Sequence, residues 1–375
     1  MMRVLDLSRL LPGPFCTRVL ADFGFEIIKL ERPGEGDWLR GIPPFKDGIS
    51  TLFQALNHGK KSLTLDLKSE LGQEIFLKFV KTADVLLESF RPGVMAKLGL
   101  SYERLSQTNP RLVYCSLTGF GDRGPYRDRP GHDLNYIGLA GLLHLTGSRD
   151  GPPVIPGTQI ADLGGALWAV IGIQRSLLER ERTGKGGRVD SSLLGAALSM
   201  LPVAVARQTS EEPMTPGGSD LTGGWVCYQV YATKDGRYMT LGALEPKFWM
   251  NFCSTVGRED LVGEQFAPAV EGQPVYDQLC VLFRSRTQEE WVASMSGVDA
   301  CCEPLYTLAE AFESEPIQAL GMLYNDRLLP PLGFSTGVSA PTGYAPSLGE
   351  HTRSLLAELG YGDDQINAMQ AKAVI

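Results

Sequence analysis

Residues 3–31, RVLDLSRLLPGPFCTRVLADFGFEIIKLE, contain the pattern that predicts the fold. An apolar strand at Val4–Leu7 is followed by a Pro12-Gly13-Pro14 turn and an apolar helix, and Gly24 ends that helix before a second strand at Ile27–Leu30. A strand, a helix and a strand in this order are typical of α/β proteins.

The same alternation continues along the chain. Further short apolar strands are predicted at Ser62–Leu67, Asp84–Leu87 and Leu112–Leu117, and a helix is predicted to end near Thr82. The apolar periodicity of Leu167–Leu178 runs into a charged turn and a glycine-rich stop, which predicts a long helix. We therefore expect a parallel sheet flanked by helices.

A change in composition divides the chain. Residues 207–224 are polar and rich in Gly, Pro and Ser, and two strand-like segments, Val226–Tyr231 and Tyr238–Leu241, predict a hairpin that opens a smaller α+β domain. A second proline-rich stretch spans residues 330–346. The predicted organisation is a large domain at 1–206, a linker at 207–224, a small domain at 225–328, and a return linker with the last part of the large domain at 329–375.

Composition limits the class of protein. The 375 residues carry a net charge of −8, contain no apolar run long enough to span a membrane, and begin without signal-peptide features. The seven cysteines lack Cys-x-x-Cys spacing. We expect a cytoplasmic enzyme that binds neither nucleic acid nor membrane.

Two nucleotide-binding motifs are matched only superficially. Residues 119–124 spell Gly-x-Gly-x-x-Gly, but Pro125 and Pro130 follow where a dinucleotide site needs a helix. The segment at 59–62, GKKS, lacks the upstream glycine of a P-loop because position 54 is Gln. Neither a dinucleotide enzyme nor a nucleotide hydrolase is predicted.

Three side chains are candidates for proton transfer, and each also has a purely structural explanation. His132 lies where a helix is predicted to begin and would satisfy backbone groups there. Asp162 begins the long predicted helix, where it would act as an N-cap or as a carboxylate beside N–H groups that bind an oxyanion. Glu245 precedes Pro246 and suits a helix cap or an exposed acid.

Short segments in a fixed order along nearly the whole chain carry a family resemblance. They include LPGPF at 11–15, VLADFG at 19–24, ERPG at 31–34, GKKSL at 59–63, LDLK at 65–68, RPGVM at 91–95, TGFG at 118–121, GHDLNY at 131–136, AD at 161–162, GALEP at 242–246 and GEHT at 349–352. Through them the chain resembles the α-methylacyl-CoA racemases of the family III CoA-transferase superfamily.

The resemblance implies an architecture and a substrate. It implies a large doubly wound, Rossmann-like parallel-sheet domain that carries both termini, a smaller α+β domain, and an interlocked homodimer. The active site would lie between the large domain of one subunit and the small domain of the other. The substrate would be an acyl-CoA, with no metal and no cofactor other than the coenzyme A that the substrate carries.

The resemblance also assigns roles to residues. His132 and Asp162 would be the acid/base pair and Glu245 the partner of His132, which fits the two groups of opposite protonation state that inversion of a carbon acid needs. The residues implied to bind substrate or CoA are Arg32, Lys60, Lys61, Leu65, Asp66, Lys68, Ser89, Arg91, Gly131, Asn135 and Tyr136.

Two alternatives stay open. A CoA transferase would use Asp162 as a nucleophile that forms a mixed anhydride, and the longer stretch at 38–56 resembles bacterial transferases. His132 together with Glu245 favours proton transfer, because the transferases generally lack this histidine. A non-catalytic acyl-CoA-binding protein would keep the cationic residues without an intact acid/base set.

Overall fold

The computed structural model describes residues 1–210, 212–324, 327–332 and 343–375. The chain divides into two compact units. Unit 1 comprises Met1–Ala140, Gly157–Met200 and Leu320–Ile375, and unit 2 comprises Gly141–Pro156 and Leu201–Ala319. The predicted return linker falls partly on residues 333–342, which lie outside the described residues.

Unit 1 is built on a six-stranded parallel sheet. Its strands are β1 (Arg3–Leu7), β2 (Glu26–Glu31), β5 (Lys61–Thr64), β6 (Val85–Glu88), β7 (Val113–Thr118) and β8 (Gly187–Ser192). The order across the sheet is β5-β2-β1-β6-β7-β8, with every neighbouring pair parallel. The chain thus winds outward in both directions from β1, which confirms the predicted parallel α/β sheet.

Helices connect these strands, and others follow the last strand of the sheet, β8. They are α1 (Pro12–Asp22), α2 (Thr51–Asn57), α3 (Glu70–Thr82), α4 (Val94–Lys97), α5 (Tyr102–Thr108), α6 (Asp133–Leu139), α7 (Ile160–Thr183), α8 (Leu193–Ser199), α15 (Thr352–Glu358) and α16 (Asp363–Ala371). Two-residue strands form the ribbons β3 (Phe45–Lys46) with β4 (Ile49–Ser50) and β12 (Leu323–Tyr324) with β13 (Arg327–Leu328).

The sequence predicted five of the six strands of the parallel sheet and the helices α1, α3, α6 and α7. The first helix ends just before Gly24, which has a φ of +86°, and α7 ends at Gly184, which has a φ of +73°. Glycine adopts this left-handed conformation without steric cost, so it stops each helix at the predicted point. Strand β8 was not predicted, since it has no apolar run.

The centre of the unit 1 sheet contains charged side chains as well as an apolar core. Lys29 Nζ lies 2.9 Å from Asp37 Oδ2, and Lys60 Nζ lies 3.2 Å from Asp6 Oδ2, with all four side chains inaccessible to solvent. Lys60 Nζ also donates to Thr17 Oγ1 at 2.7 Å. Burial of a charge is costly unless it is paired and hydrogen-bonded, and these groups are both.

The pKa values agree with an ionised pair at neutral pH. Burial alone would raise the pKa of Asp6, but the ammonium groups of Lys60 and Lys29 and hydrogen bonds from Ser8 and Thr17 lower it to about 2. Burial lowers the pKa of Lys60 to about 8 despite the attraction of Asp6. Both groups are therefore charged near pH 7.

Unit 2 has its own core. Its elements are α9 (Pro202–Thr209), β9 (Tyr228–Ala232), β10 (Tyr238–Gly242), α10 (Pro246–Thr255), α11 (Pro274–Arg284), α12 (Gln288–Met295), β11 (Cys302–Pro304), α13 (Leu308–Glu313) and α14 (Glu315–Ala319). The antiparallel sheet has the order β11-β10-β9, so the predicted hairpin is present. Beneath it Tyr231 and Phe283 stack with ring centroids 4.4 Å apart, and Trp291 packs on Phe283.

The bounds of the units differ from the predicted domains. Residues 141–156, which the prediction assigned to the large domain, cluster with unit 2, and so does helix α9, which spans the predicted boundary between the large domain and the linker. Among the described residues, no helix is long and apolar enough to cross a membrane. In the same part of the chain, no group of three or more His, Cys, Asp or Glu side chains has an arrangement that would hold a metal ion.

The buried pair yields a stability prediction. Lys60→Met should lower the free energy of unfolding by about 3–5 kcal/mol, because Asp6 loses its close counter-ion in the core. The control is Lys61→Met, which removes a partly exposed ion pair with Glu26 and should cost about 1 kcal/mol or less. Urea denaturation measures both variants. Equal costs for the two would contradict the buried role of Lys60.

Candidate active site

The candidate site lies where the strand order reverses. In a doubly wound sheet, ligands bind outside the carboxyl ends of the strands at the point where the winding changes direction. Here that point lies between β1 and β6, so the loops that begin at Ser8 and Ser89 border it. Two cavities open there, and both are lined by Arg9, Ser89, Phe90 and Arg91.

The first cavity, which we call the Arg32 cavity, has a volume of about 580 Å³. Leucine side chains form much of its lining, and the charged residues that border it are four cations and four acids: Arg9, Arg32, Lys68, Arg91, Glu31, Glu35, Asp37 and Asp66. Arg32 pairs with Glu35 at 2.7 Å, and both side chains are more than half exposed. Its arginine and lysine side chains are suited to anionic groups of a ligand, and its leucine side chains to a flat or apolar part.

The second cavity, the His132 cavity, has a volume of about 550 Å³ and lies wholly within unit 1. His132 and Asp162 both line it, together with Gly131, Tyr136 and Gln159. The structure therefore brings the two predicted acid/base groups into one cavity. Because both cavities include Arg9, Ser89, Phe90 and Arg91, they border each other along this strip.

The conformation around His132 is fixed by its neighbours. His132 is the N-cap residue of α6, and its backbone N–H donates to Asn135 Oδ1 at 3.0 Å. The Tyr136 hydroxyl donates to the Gly131 carbonyl at 2.7 Å. The Tyr136 ring fits only because Gly131 has no Cβ, which would lie 2.8 Å from a ring carbon. The His132 side chain itself is exposed toward the cavity.

Asp162 lies in the first turn of α7, and a second carboxylate approaches the same turn. Asp133 Oδ1 accepts from the backbone N–H of Ala161 at 2.6 Å and from that of Asp162 at 3.1 Å. Burial raises the pKa of Asp162 to about 7, and the negative charge of Asp133 contributes to the rise. Asp162 is thus able to gain and lose a proton near neutral pH.

These contacts correct two expectations. Gln159, not Asp162, occupies the N-cap position of α7, because the helix begins three residues earlier than an N-cap at Asp162 would place it. Backbone N–H groups beside Asp162 were expected to bind an oxyanion, but Asp133 already accepts from two of the N–H groups there, those of Ala161 and Asp162. Sequence analysis missed this contact, because an acid in the first turn of α6 indicates a favourable interaction with the amino end of its own helix and not a cap on α7.

The His132 cavity is strongly cationic. Arg9, Arg91, Arg127 and Arg129 line it, whereas Asp162 is the one carboxylate among its described lining residues. The Nε atom of Arg127 is buried without a hydrogen-bond partner in the described part of the chain, and Arg129 lies over the Tyr126 ring at 3.8 Å. This field favours bound negative charge.

The other predicted ligand residues divide into three groups. Arg32, Leu65, Asp66, Lys68, Ser89 and Arg91 line the Arg32 cavity. Gly131 and Tyr136 line the His132 cavity, whereas Asn135 is absent from its lining and braces the backbone of His132. Their contact with a ligand stays a prediction.

Lys60 and Lys61 depart from the predicted set. The Lys60 ammonium is buried in the core with Asp6, Thr17, Asn57 and the Pro14 carbonyl as partners. Lys61 begins β5 and pairs with Glu26 at 2.6 Å, at the amino end of the sheet, opposite to the carboxyl ends that border the cavities. Neither side chain lines the Arg32 cavity.

Glu245 belongs to unit 2. It is the N-cap residue of α10, its side chain is exposed and makes no capping hydrogen bond, and Pro246 occupies the first helical position as predicted. Its partnership with His132 stays a prediction.

Comparison with known proteins identifies the family. The family model of CoA-transferase family III matches residues 2–352. The chain belongs to this family. The α-methylacyl-CoA racemase of Mus musculus is 34% identical, over 100% of this chain and 96% of the relative. The succinyl-CoA:glutarate CoA-transferase of Mus musculus is 32% identical, over 100% of this chain and 89% of the relative.

A solved structure agrees with this family membership. A CaiB/BaiF family protein from Brucella suis superposes with a TM-score of 0.84 at 31% identity, over 96% of this chain and 98% of the other. This chain is therefore an enzyme of the CoA-transferase III superfamily. Racemase and transferase relatives are similar to it to almost the same degree, so similarity alone does not distinguish the two reactions.

The raised pKa of Asp162 predicts a pH-dependent stability. The folded-state value of about 7 lies above the value of about 4 in an unfolded chain, so wild-type stability should fall as the pH rises through that interval. Asp162→Asn lacks this titration. Its melting temperature relative to wild type should therefore be higher at about pH 8 than at about pH 4.5.

Thermal unfolding at the two pH values measures the effect, with Asp150→Asn, an exposed carboxyl, as the control. A difference between Asp162→Asn and wild type that does not change with pH would contradict the raised pKa.

Proposed function

We propose that this protein epimerises the α-carbon of 2-methylacyl-CoA thioesters by proton transfer between His132 and Asp162. The observation that carries the proposal is that the two side chains line one cavity at the switch point of the sheet. The pKa of Asp162, about 7, also suits the task, since an acid/base catalyst works best with a pKa near the operating pH.

The proposed reaction inverts the α-carbon without changing the atomic composition of the substrate. One group, in its basic form, removes the α-proton and leaves its electron pair in an enolate of the thioester. The other group, in its protonated form, delivers a proton to the opposite face of the α-carbon. The two side chains end with exchanged protonation states, which suit the reverse direction, and solvent resets them.

The cavity is suited to the enolate. Negative charge moves onto the thioester oxygen when the proton leaves, and preorganised positive groups stabilise such charge most effectively in a site that excludes water. Arg127 and Arg129 supply positive charge on the loop that leads to His132. The aromatic rings of Trp38, Phe90 and Phe120 in the same lining would contact an acyl chain.

The Arg32 cavity would hold the coenzyme A part of the substrate. Its guanidinium and ammonium groups match the phosphates of CoA, and its leucine side chains offer an apolar surface to the adenine and the pantetheine. A thioester at the border of the two cavities would cross the strip formed by Arg9, Ser89, Phe90 and Arg91.

Wild-type enzyme incubated in deuterated water with one epimer of a 2-methylacyl-CoA should incorporate deuterium at the α-carbon and form the other epimer. Proton NMR and chiral chromatography of the acyl group measure the two events. His132→Ala and Asp162→Ala should each slow epimerisation by about 10²–10⁴-fold, because each removes one acid/base group.

The same assay identifies a wrong assignment. Epimerisation at the wild-type rate by either variant would remove that residue from the mechanism. A reaction that begins only after a free carboxylate is added would exclude the racemase. Tight acyl-CoA binding without any turnover would indicate a non-catalytic binding protein.

A family III CoA transferase is the second candidate, and the cationic His132 cavity favours it. Arg127 and Arg129 would bind the carboxylate of an acyl acceptor. Asp162 Oδ would attack the thioester carbonyl, the CoA thiolate would leave, and the acyl group would remain as a mixed anhydride. Hydroxylamine would trap this anhydride on Asp162, whereas a racemase leaves the aspartate unmodified.

We also propose that the protein acts as a homodimer in the cytoplasm. Helix α7 exposes large apolar side chains at helical spacing, namely Leu167, Trp168, Ile171 and Leu178. A second copy of the chain would cover them. All seven cysteines are free thiols, which fits a reducing compartment.

Sedimentation should therefore report a dimer for the wild-type protein. Ile171→Glu should shift it toward monomer, because a charge in an apolar interface loses its hydration. The control is Val281→Glu, which alters an apolar side chain on α11 that is even more exposed than Ile171. A wild-type monomer, or a dimer unaffected by Ile171→Glu, would contradict the assignment of this face.

A further inference from the structure

The side chain of Asp133 accepts two backbone hydrogen bonds, and both come from the helix that carries Asp162. Asp133 is the first residue of α6, directly after His132, and its Oδ1 atom accepts from the N–H groups of Ala161 and Asp162. Helix α7 has no side-chain cap from its own N-cap residue, Gln159. Asp133 supplies that cap from another helix.

This cap joins the two halves of the acid/base pair. His132 is covalently adjacent to Asp133, and Asp162 donates its own N–H to Asp133 at 3.1 Å. One carboxylate therefore fixes the amino end of α7 relative to the amino end of α6. A displacement of about 1 Å between reacting groups can lower the rate by about 10²-fold. A hydrogen-bonded contact that fixes the two helix ends therefore affects catalysis.

We propose that Asp133 is a positioning residue that holds Asp162 in the cavity it shares with His132 and accepts hydrogen bonds from helix N–H groups that would otherwise stabilise the Asp162 carboxylate. This inference rests on the proposed proton transfer. It concerns the Asp133 side chain, which touches no substrate atom in this role.

The electrostatics agree with this division between two carboxylates. The amino end of a helix stabilises a nearby anion. Here Asp133 accepts hydrogen bonds from the N–H groups of Ala161 and Asp162. For Asp162, burial and the neighbouring negative charge of Asp133 dominate, and both raise its pKa. Different environments for two adjacent acids assign them different roles. Asp133 acts as the cap, and Asp162 as the group that exchanges protons.

Other groups face Asp162 as well. Tyr136 lies on α6, His132 precedes that helix, and Arg127 and Arg129 belong to the loop before it. Burial and the charges of Asp162 and Asp133 raise the pKa of Tyr136 to about 12, so its hydroxyl stays neutral. Among the described charged residues, Asp133 is the one whose charge contributes to the raised pKa of Asp162.

Two substitutions separate the two parts of the role. Asp133→Asn keeps an oxygen acceptor for the helix but removes the charge, so kcat should stay within about 10-fold of wild type while the limb of the kcat/KM profile that belongs to Asp162 moves to lower pH. Asp133→Ala removes the acceptor, so kcat should fall by about 10²-fold with little change in KM. Asp150→Asn is the matched control with an exposed carboxyl.

A second measurement needs no substrate. The melting-temperature difference that Asp162→Asn causes changes with pH until Asp162 is fully ionised in the folded protein. In an Asp133→Asn background, this difference should therefore level off at a lower pH than in a background that keeps Asp133. That shift would support the inference even if wild-type enzyme failed to epimerise any thioester, so the two proposals fail separately.

The inference is overturned if Asp133→Asn leaves both the pH profile and the stability titration of Asp162 unchanged, or if Asp133→Ala retains wild-type kcat. Equal loss of activity and of CoA affinity in Asp133→Ala would indicate general unfolding. In that case an unshifted profile in Asp133→Asn overturns the proposal, and a shifted one supports it.

Discussion

The buried ion pairs beneath the carboxyl ends of β1 and β2 are the constraint on which the rest of unit 1 depends. Lys60 joins the strand residue Asp6 to α1 through Thr17 and to the end of α2 through Asn57. Lys29 joins β2 to Asp37, which in turn accepts from the backbone of Leu10. Because each charge has a partner inside the protein, the segments that carry them cannot separate without exposing an unpaired charge to the core.

That constraint reaches the candidate site through the loop after β1. Leu10 has a left-handed φ of +64°, which is unfavourable for a leucine, and its N–H is held by Asp37. Arg9 precedes it and lines both cavities. A network that is inaccessible to solvent thus fixes the backbone of residues whose side chains face the ligand cavities.

Sequence alone predicted the elements that depend on local pattern. The apolar strands and the glycine-terminated helices were found because their periodicity and stop residues lie within a few positions of one another. Strand β8 was missed because Gly187–Ser192 is polar and belongs to an edge of the sheet.

The errors at the site have a different cause. The depth of Lys60 and the contact of Asp133 with a helix 28 residues later are tertiary facts that no local pattern contains. His132 and Asp162 were identified through family resemblance, since each alone has an adequate structural explanation.

In the proposed function, the strip of Arg9, Ser89, Phe90 and Arg91 would separate two tasks that evolution could alter independently. On one side lies the surface suited to the part that all CoA thioesters share, and on the other lie the groups that would act on the variable acyl part. Substitutions beyond the strip would redirect the chemistry while the affinity for the common part persists. With such an arrangement, the fold could diversify into isomerases and group-transfer enzymes without first losing its affinity for coenzyme A.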